Sequence, residues 1–211
     1  MSNSLKGYWI NHVVKIKDPE RFGAYADASK PMFQGDNEYG AKILLFGPVA
    51  ATILGEPVQY AAVVEFDTVQ AAVEFWDDPE YVAARALMGP PNDESNVVDR
   101  RVCCIEGESL IVHPKQGFWV NHVHEIKNET AFWQYAEASL PHFTSTTYGK
   151  VVHQHAGQQK IQLAAALGIV SLNRAMSLRE TPEYEPALAA GGMVDGEGHV
   201  VNRTICAIEV P

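Results

Sequence analysis

The chain has 211 residues, 46% hydrophobic and 20% charged, with eight Tyr, eight Phe and four Trp, a composition that supports a packed core and excludes an intrinsically disordered chain. A formal net charge of -10 without any basic run argues against nucleic acid or a membrane surface as partner, since both are polyanions. The start Met1 to Lys6 lacks the apolar run of a secretion signal, no apolar stretch is long enough to span a bilayer, and Cys103, Cys104 and Cys206 show neither an even count nor Cys-x-x-Cys spacing, so a reducing, cytoplasmic setting is expected.

Residues 7–17 alternate and are rich in β-branched and aromatic types, which predicts a strand. Asp18, Pro19 and Glu20 then offer an N-cap, a first-turn proline and a first-turn acid, and Phe22, Tyr25, Ala26, Ser29 and Phe33 follow at helical spacing up to Gly40. Strands are expected at 41–46 and 59–66, separated by a hairpin with turn residues between Gly47 and Tyr60. Asp67 and Gln70 have capping-box spacing and open a helix through Trp76. Asp78, Pro79 and Glu80 open a short one, and residues 97–106 form a last strand. The order β-α-β-β-α-β is the ferredoxin-like unit.

The same order then returns. The run Gly7 to Val13 (GYWINHV) reappears as Gly117 to Val123 (GFWVNHV). Phe22, Tyr25, Ala26, Ser29, Pro31 and Phe33 reappear as Phe132, Tyr135, Ala136, Ser139, Pro141 and Phe143. Pro79 to Tyr81 reappears as Pro182 to Tyr184, and Val97, Arg100, Cys103 and Glu106 as Val200, Arg203, Cys206 and Glu209. Asn128, Ser171 and Thr181 are the matching caps. The expected organisation is a first module at 1–107, a linker at 108–116 and a second module at 117–211. A four-stranded sheet with helices on one face leaves the other bare, and pressing the two bare faces together covers both within one chain.

The aromatic-Trp-Ile-x-His-Val run at 8–13, the Asp18–Glu20 helix start, Tyr39 and Gly40, Glu65 and Phe66, and Pro79 to Tyr81 together resemble the dimeric α/β-barrel superfamily. The nearest resemblance is to a family known only as a domain of unknown function, related to EthD-like and antibiotic-biosynthesis-monooxygenase-like proteins. The first module resembles it over nearly its whole length. The second departs, with Gly168 and Ile169 standing where Glu65 and Phe66 stood and with a shorter hairpin. The resemblance implies an α+β fold of two ferredoxin-like modules whose antiparallel sheets pack face to face as an intramolecular dimeric α/β barrel. It also implies pockets between sheet and helices within one module. Its reaction classes include cofactor-free monooxygenation, muconolactone-type isomerisation, polyketide cyclisation and aldoxime dehydration.

On the first strand, period-two geometry puts Tyr8, Ile10, His12, Val14 and Ile16 on one face and Trp9, Asn11, Val13 and Lys15 on the other. The more apolar face is expected to meet the helices, leaving Trp9, Asn11, Trp119 and Asn121 toward the inter-sheet space. Comparing the modules then exposes histidine. Val14 becomes His124, Met32 becomes His142, Leu44 becomes His153 and Phe46 becomes His155, while His122 matches His12. Core hydrophobes are replaced by His at a cost unless each finds a partner or water, and imidazole titrates near neutrality. The first module therefore reads as the structural copy and the second as the working one.

These residues predict an enzyme without organic cofactor, using His122, His142, His153 and His155 as general acid and base, with His124, Tyr135 and Arg203 binding the substrate. The resemblance to the dimeric α/β-barrel superfamily, not the spacing, implies the rest: a small apolar or aromatic, polyketide-like carbonyl compound as substrate and a reaction of isomerase, lyase, cyclase or oxygenase type. Two alternatives stand beside it. One is a metal enzyme with His122, His124, His153 and His155 holding a divalent transition metal. The other is a non-catalytic binding or structural protein, in which Arg203 pairs with an acid, Tyr135 is core and His12 is a satisfied core histidine. The expected partner is a small-molecule substrate, in a pseudo-dimer open to further homodimerisation.

Overall fold

The computed structural model describes residues 5–210. In chain order the elements are β1 (Lys6–Ile16), α1 (Pro19–Ser29), β2 (Lys42–Pro48), β3 (Ala51–Leu54), β4 (Tyr60–Phe66), α2 (Val69–Glu74), α3 (Pro79–Ala86) and β5 (Val98–Gly107), followed by β6 (Gly117–Ile126), α4 (Glu129–Ser139), β7 (Ser145–Ala156), β8 (Leu163–Ile169), α5 (Leu172–Ser177), α6 (Glu185–Ala190) and β9 (Val201–Glu209). No helix among the described residues is long and apolar enough to cross a membrane. The caps explain where the helices begin. Asp18 accepts from the amides of Glu20 and Arg21, Asn128 from Ala131 and Ser171 from Arg174, satisfying first-turn donors that have no partner inside the helix. Two starts differ from expectation. Thr68 rather than Asp67 caps α2, and Asp67 pairs with Lys6 at 3.0 Å. Thr181 binds back to Leu178 O, so α6 begins later, without a side-chain cap.

The described strands form an antiparallel sheet in the order β2-β4-β1-β5-β7-β8-β6-β9-β3. Two long arms curl it into a barrel. Strand β7 pairs with β8 through residues 145–150 and with β5 through 151–156. On the other side, β2 pairs with β4, while β3, two residues further on, pairs with β9. The hairpin expected between Gly47 and Tyr60 is therefore a second crossing arm. At its bend Val49 donates to Gln59 O and Ala50 donates to Ala207 O, one toward each side. Closure of this kind satisfies backbone groups that an open edge would leave bare.

Each wall strand is buried on both faces, and the faces are the reverse of those expected. Tyr8, Ile10, Val63, Cys103 and Ile105 from one half meet Phe118, Val120, Ala164, Ala166, Cys206 and Ile208 from the other inside the barrel. Trp9, Val64, Phe66 and Cys104 lie outside, under Ala72, Phe75, Trp76 and Tyr81. Trp119, Ile205 and Ala207 do the same under Ala175, Leu178 and Tyr184. When both faces of a sheet are covered, alternation in hydrophobicity cannot say which face meets the helices. The segment after β5 lies against the barrel, where Leu110 joins the interior cluster and its amide donates to Tyr8 Oη at 3.0 Å. Tyr8 in turn donates to Glu65 at 2.8 Å.

The repeated Gly-aromatic-Trp run has a mechanical basis. Trp9 Nε1 donates to Ala72 O and Trp119 Nε1 to Ala175 O, each at 2.6 Å, which draws the helix against the strand. The glycine two residues before permits that approach. A Cβ on Gly7 would collide with Thr68 O and lie 2.7 Å from Val69 Cα, and one on Gly117 would lie 2.5 Å from Ser171 O. Gly7→Ala and Gly117→Ala are each expected to lower stability by about 3 kcal/mol, as overpacking against backbone does. Urea unfolding checks this, and a variant as stable as the parent would mean the strand and helix are not so closely apposed.

Candidate functional site

The histidines do not assemble into a site. His12 and His122 point into the barrel interior and stack on each other, ring centroids 3.9 Å apart. Each Nε2 lies 3.2 Å from a carbonyl of the opposite strand, Val120 O for His12 and Ile10 O for His122. Cys206 and Cys103 Sγ lie 3.6 and 3.7 Å from the same two nitrogens. Burial holds both rings neutral, His12 at about 3 and His122 well below its ordinary value with the neighbouring His12 adding to the effect. His124 sits on the bulge between Val123 and Glu125 and contacts Lys160 O at 3.4 Å and Thr204 Oγ1 at 3.3 Å. A bulge turns a side chain out of the strand's alternation.

His153 and His155 lie on the other face of the wall. They belong to the part of β7 that joins β5, so they sit against the helices of the first half. His153 is exposed. His155 stacks flat on Trp76 at 4.4 Å, contacts Cys104 Sγ at 3.2 Å and is lowered by burial to about 3. His142 stands apart, its ring 5.1 Å from that of Tyr184. The expected acid–base cluster of His122, His142, His153 and His155 is thus dispersed over three places, because the crossing arm carries two of them to the opposite half. The four histidines named for a metal are not brought together either. His122 and His124 are separated from His153 and His155 by the barrel wall, and no group of three or more His, Cys, Asp or Glu among the described residues is placed to hold an ion.

Two cavities lie instead between the outer face of the wall and the helices. The first, about 520 Å³, is lined by Trp9, Asn11, Tyr25, Phe33, Ala62, Val64, Tyr81 and Arg100, with Asp27 and Lys30 also on its border. The second, about 290 Å³, is lined by Asn121, Phe132, Tyr135, Phe143, Ala165, Leu167 and Arg203. Asn11 and Asn121 therefore face the helices, not the inter-sheet space. The two cavities share three polar residues at matched positions: an Asn on the first strand, an Arg on the last and a Tyr on the first helix. Tyr81 of the Pro-Glu-Tyr run also lines the first, whereas its counterpart Tyr184 lies behind Tyr135, joined to it by a 2.7 Å hydrogen bond. Tyr135 and Arg203 were singled out by the sequence. Asn11, Tyr25, Tyr81 and Arg100 were not, although their recurrence in the repeat was visible.

The arginines are held differently. Arg203, buried, donates to both carboxylate oxygens of Glu197, at 3.0 and 2.7 Å, and Arg179 reaches the same carboxylate at 3.1 Å. Its guanidinium also lies 4.6 Å from the Tyr135 ring. Arg100, half-buried, donates to Tyr25 Oη at 3.1 Å, Tyr25 shares a 2.8 Å hydrogen bond with Tyr81, and no ion pair forms at this arginine among the described residues. Glu94, which matches Glu197 in the repeat, is exposed. Burial, with Tyr25 alongside, keeps the Tyr81 hydroxyl protonated well above its ordinary value. A guanidinium does not give up its proton in a protein, so the first cavity presents a cation, two hydroxyls and the unpaired Asn11 Oδ1 inside an aromatic wall.

Residues 6–98 match a family described as a domain of unknown function (DUF1330). None of the curated proteins matches the chain. Among solved structures, an anthrone oxidase-like protein aligns with all of this chain and 92% of its own, at TM-score 0.62 and 9% identity. A variant of chlorite dismutase from Candidatus Nitrospira defluvii aligns with all of this chain and 93% of its own, at 0.54 and 9%. A protein described as a candidate monooxygenase from Fusobacterium nucleatum subsp. nucleatum aligns with all of this chain and 94% of its own, at 0.51 and 11%. At such identities the likeness establishes a shared α+β barrel architecture, and function has to be argued from the cavities.

Proposed function

We propose that the protein is a small-molecule enzyme acting in the sheet–helix cavity of its first half, on an aromatic or polyketide-like compound that carries an enolisable carbonyl. This reading takes the chain as a duplicated module folded into one intramolecular barrel, and it moves the working site from the second copy to the first. The observation that carries it is Arg100, a cation on the cavity wall whose side-chain partner is a tyrosine hydroxyl rather than a carboxylate. A charge placed so is matched by an anion that comes and goes. As a proton leaves the carbon beside the carbonyl, negative charge builds on the oxygen. Arg100 and the Tyr25–Tyr81 pair are fixed donors for that charge, which is the electrostatic stabilisation that enzymes of this kind depend on. Asp27 is the carboxylate on the cavity border that can take the proton. Isomerisation, elimination, ring closure and oxygenation beside a carbonyl all pass through such an enolate. The anthrone oxidase-like and candidate monooxygenase neighbours support the oxygenation branch by analogy of fold alone.

Deuterium exchange at the carbon beside the carbonyl of 2-tetralone, followed by NMR, tests the reading. The parent protein is expected to exceed the buffer rate, and Arg100→Gln to lose about 100-fold, the scale of removing one preorganised oxyanion donor. Exchange that survives Arg100→Gln at full rate would overturn the assignment. The second reading, a binding protein without catalysis, is favoured by the absence of a His among the residues lining either cavity. It predicts no exchange above buffer together with tight binding of 1-naphthoate that Arg100→Gln weakens.

A further inference from the structure

We infer that the cavity of the second half is a separate binding site for an uncharged, single-ring aromatic compound bearing a hydrogen-bond donor, such as a phenol. The inference holds whether or not the first cavity catalyses. Although the two cavities are built on matched residues, Glu197 changes what the second can accept. Both hydrogen-bonding edges of Arg203 offered to Glu197 are occupied, at 3.0 and 2.7 Å, and Arg179 holds the carboxylate from the other side at 3.1 Å. A ligand carboxylate would have to displace an acid already fixed by two arginines. It would also enter beside Glu137, which borders the same cavity. An anion left unpaired against an apolar wall is strongly disfavoured.

What the cavity lacks is a donor. Asn121 is 5% exposed, it borders the cavity, and its Oδ1 is buried with no hydrogen-bond partner. Buried acceptors of that kind are paired in nearly all folded proteins, and a ligand hydroxyl supplies the missing hydrogen. Most of the remaining wall is apolar, with Phe132, Phe143, Leu163 and Leu167, beside the hydroxyl-bearing Tyr135, Ser139 and Tyr148. Size gives the last constraint. The cavity measures about 290 Å³ against about 520 Å³ in the first half, and a cavity of roughly 150 Å³ suffices for benzene. One substituted ring fits, with little room for a second.

The test uses full-length protein carrying Ala62→Phe, which fills the first cavity, and reads 19F NMR titrations of 4-fluorophenol and 4-fluorobenzoate. Ala165→Phe is the matched change that fills the second cavity. In the Ala62→Phe background, 4-fluorophenol is expected to bind, and 4-fluorobenzoate to bind at least tenfold more weakly. Adding Ala165→Phe abolishes phenol binding, and adding Asn121→Leu weakens it about tenfold, the loss of one hydrogen bond to a buried acceptor. Adding Glu197→Gln frees Arg203 and raises benzoate affinity at least tenfold. If Ala165→Phe does not fold, as judged by circular dichroism, the Asn121 and Glu197 variants decide. Phenol that fails to bind, or benzoate that binds equally well and is indifferent to Glu197→Gln, overturns the inference. Neither result bears on exchange of 2-tetralone by the first cavity, so the two readings fail separately.

Discussion

Between pH 7 and pH 5 the protein is expected to lose about 4 kcal/mol of folding stability through two histidines at the centre of its barrel. His12 and His122 are fully buried. With each Nε2 set against a carbonyl oxygen at 3.2 Å, that nitrogen carries the hydrogen, and each Nδ1 is a buried acceptor without a partner. A second proton would have to enter the barrel interior beside the facing ring. Burial accordingly lowers His12 from its ordinary 6.5 to about 3 and His122 well below 6.5. The folded pKa is depressed, so the contribution is complete above 6.5 and is lost as pH falls toward about 3, because below 6.5 the unfolded chain takes up protons that the folded one refuses. Each ring costs about 1.4 kcal/mol per pH unit in that window, so 1.5 units give roughly 2 kcal/mol apiece. His155, lowered to about 3, and His124, lowered as well, act in the same direction. Urea unfolding at pH 7, 6 and 5 measures the slope. In the His12→Gln/His122→Gln double variant it should be much shallower, and a slope unchanged from the parent would remove the pair as its cause.

Trp119→Ala should cost about 4 kcal/mol, at the upper range for core truncations. The ring is 1% exposed and packs edge-on against Phe143 and Tyr184 at 5.6 and 5.7 Å. Its removal leaves a cavity and also strips Ala175 O of its donor. Trp119→Phe keeps most of the packing and loses the hydrogen bond, so it should cost roughly 1–2 kcal/mol. The more informative result is where the loss appears. Because β7 pairs with strands of both halves, the second half cannot melt without uncovering the first. Thermal unfolding of Trp119→Ala in a Trp133→Phe background, where the fluorescence comes from Trp9 and Trp76 of the first half alone, should shift as one transition along with the circular dichroism signal. Two separated transitions would show that the shared strand does not couple the halves.

Much of this architecture is legible in the amino-acid order. The caps at Asp18, Asn128 and Ser171 and the strand–helix alternation follow from local chemistry that acts within a few residues, and the structure agrees with them. The exchange of faces on β1 was not legible, since Tyr8 and Trp9 are both buried and differ only in what covers them. The crossing arms were missed for a related reason. Pro48 and the turn residues after it mark a break in a strand, but nothing local says whether the chain turns back or steps across to another sheet. That step decides the fate of His153 and His155, which share a strand face as expected yet serve the opposite half. Attention to differences between the copies led toward those histidines. What the two halves keep in common, Asn11 with Asn121, Tyr25 with Tyr135 and Arg100 with Arg203, is what lines the cavities. Glu197 and Glu94 also match in sequence, but Arg179, which holds Glu197 at 3.1 Å, has Trp76 at its matched position in the first half.

The two arms that close the barrel have a consequence for how such a protein can change. A barrel assembled from two separate identical chains receives every mutation twice, so a residue that suits one cavity is imposed on the other. Covalent linkage of the halves lifts that constraint while leaving each half dependent on the other's strand for its edge. On the duplicated-module reading proposed above, one arginine can then acquire a permanent carboxylate while its counterpart stays available, and selection can act on one cavity while the other keeps its earlier use.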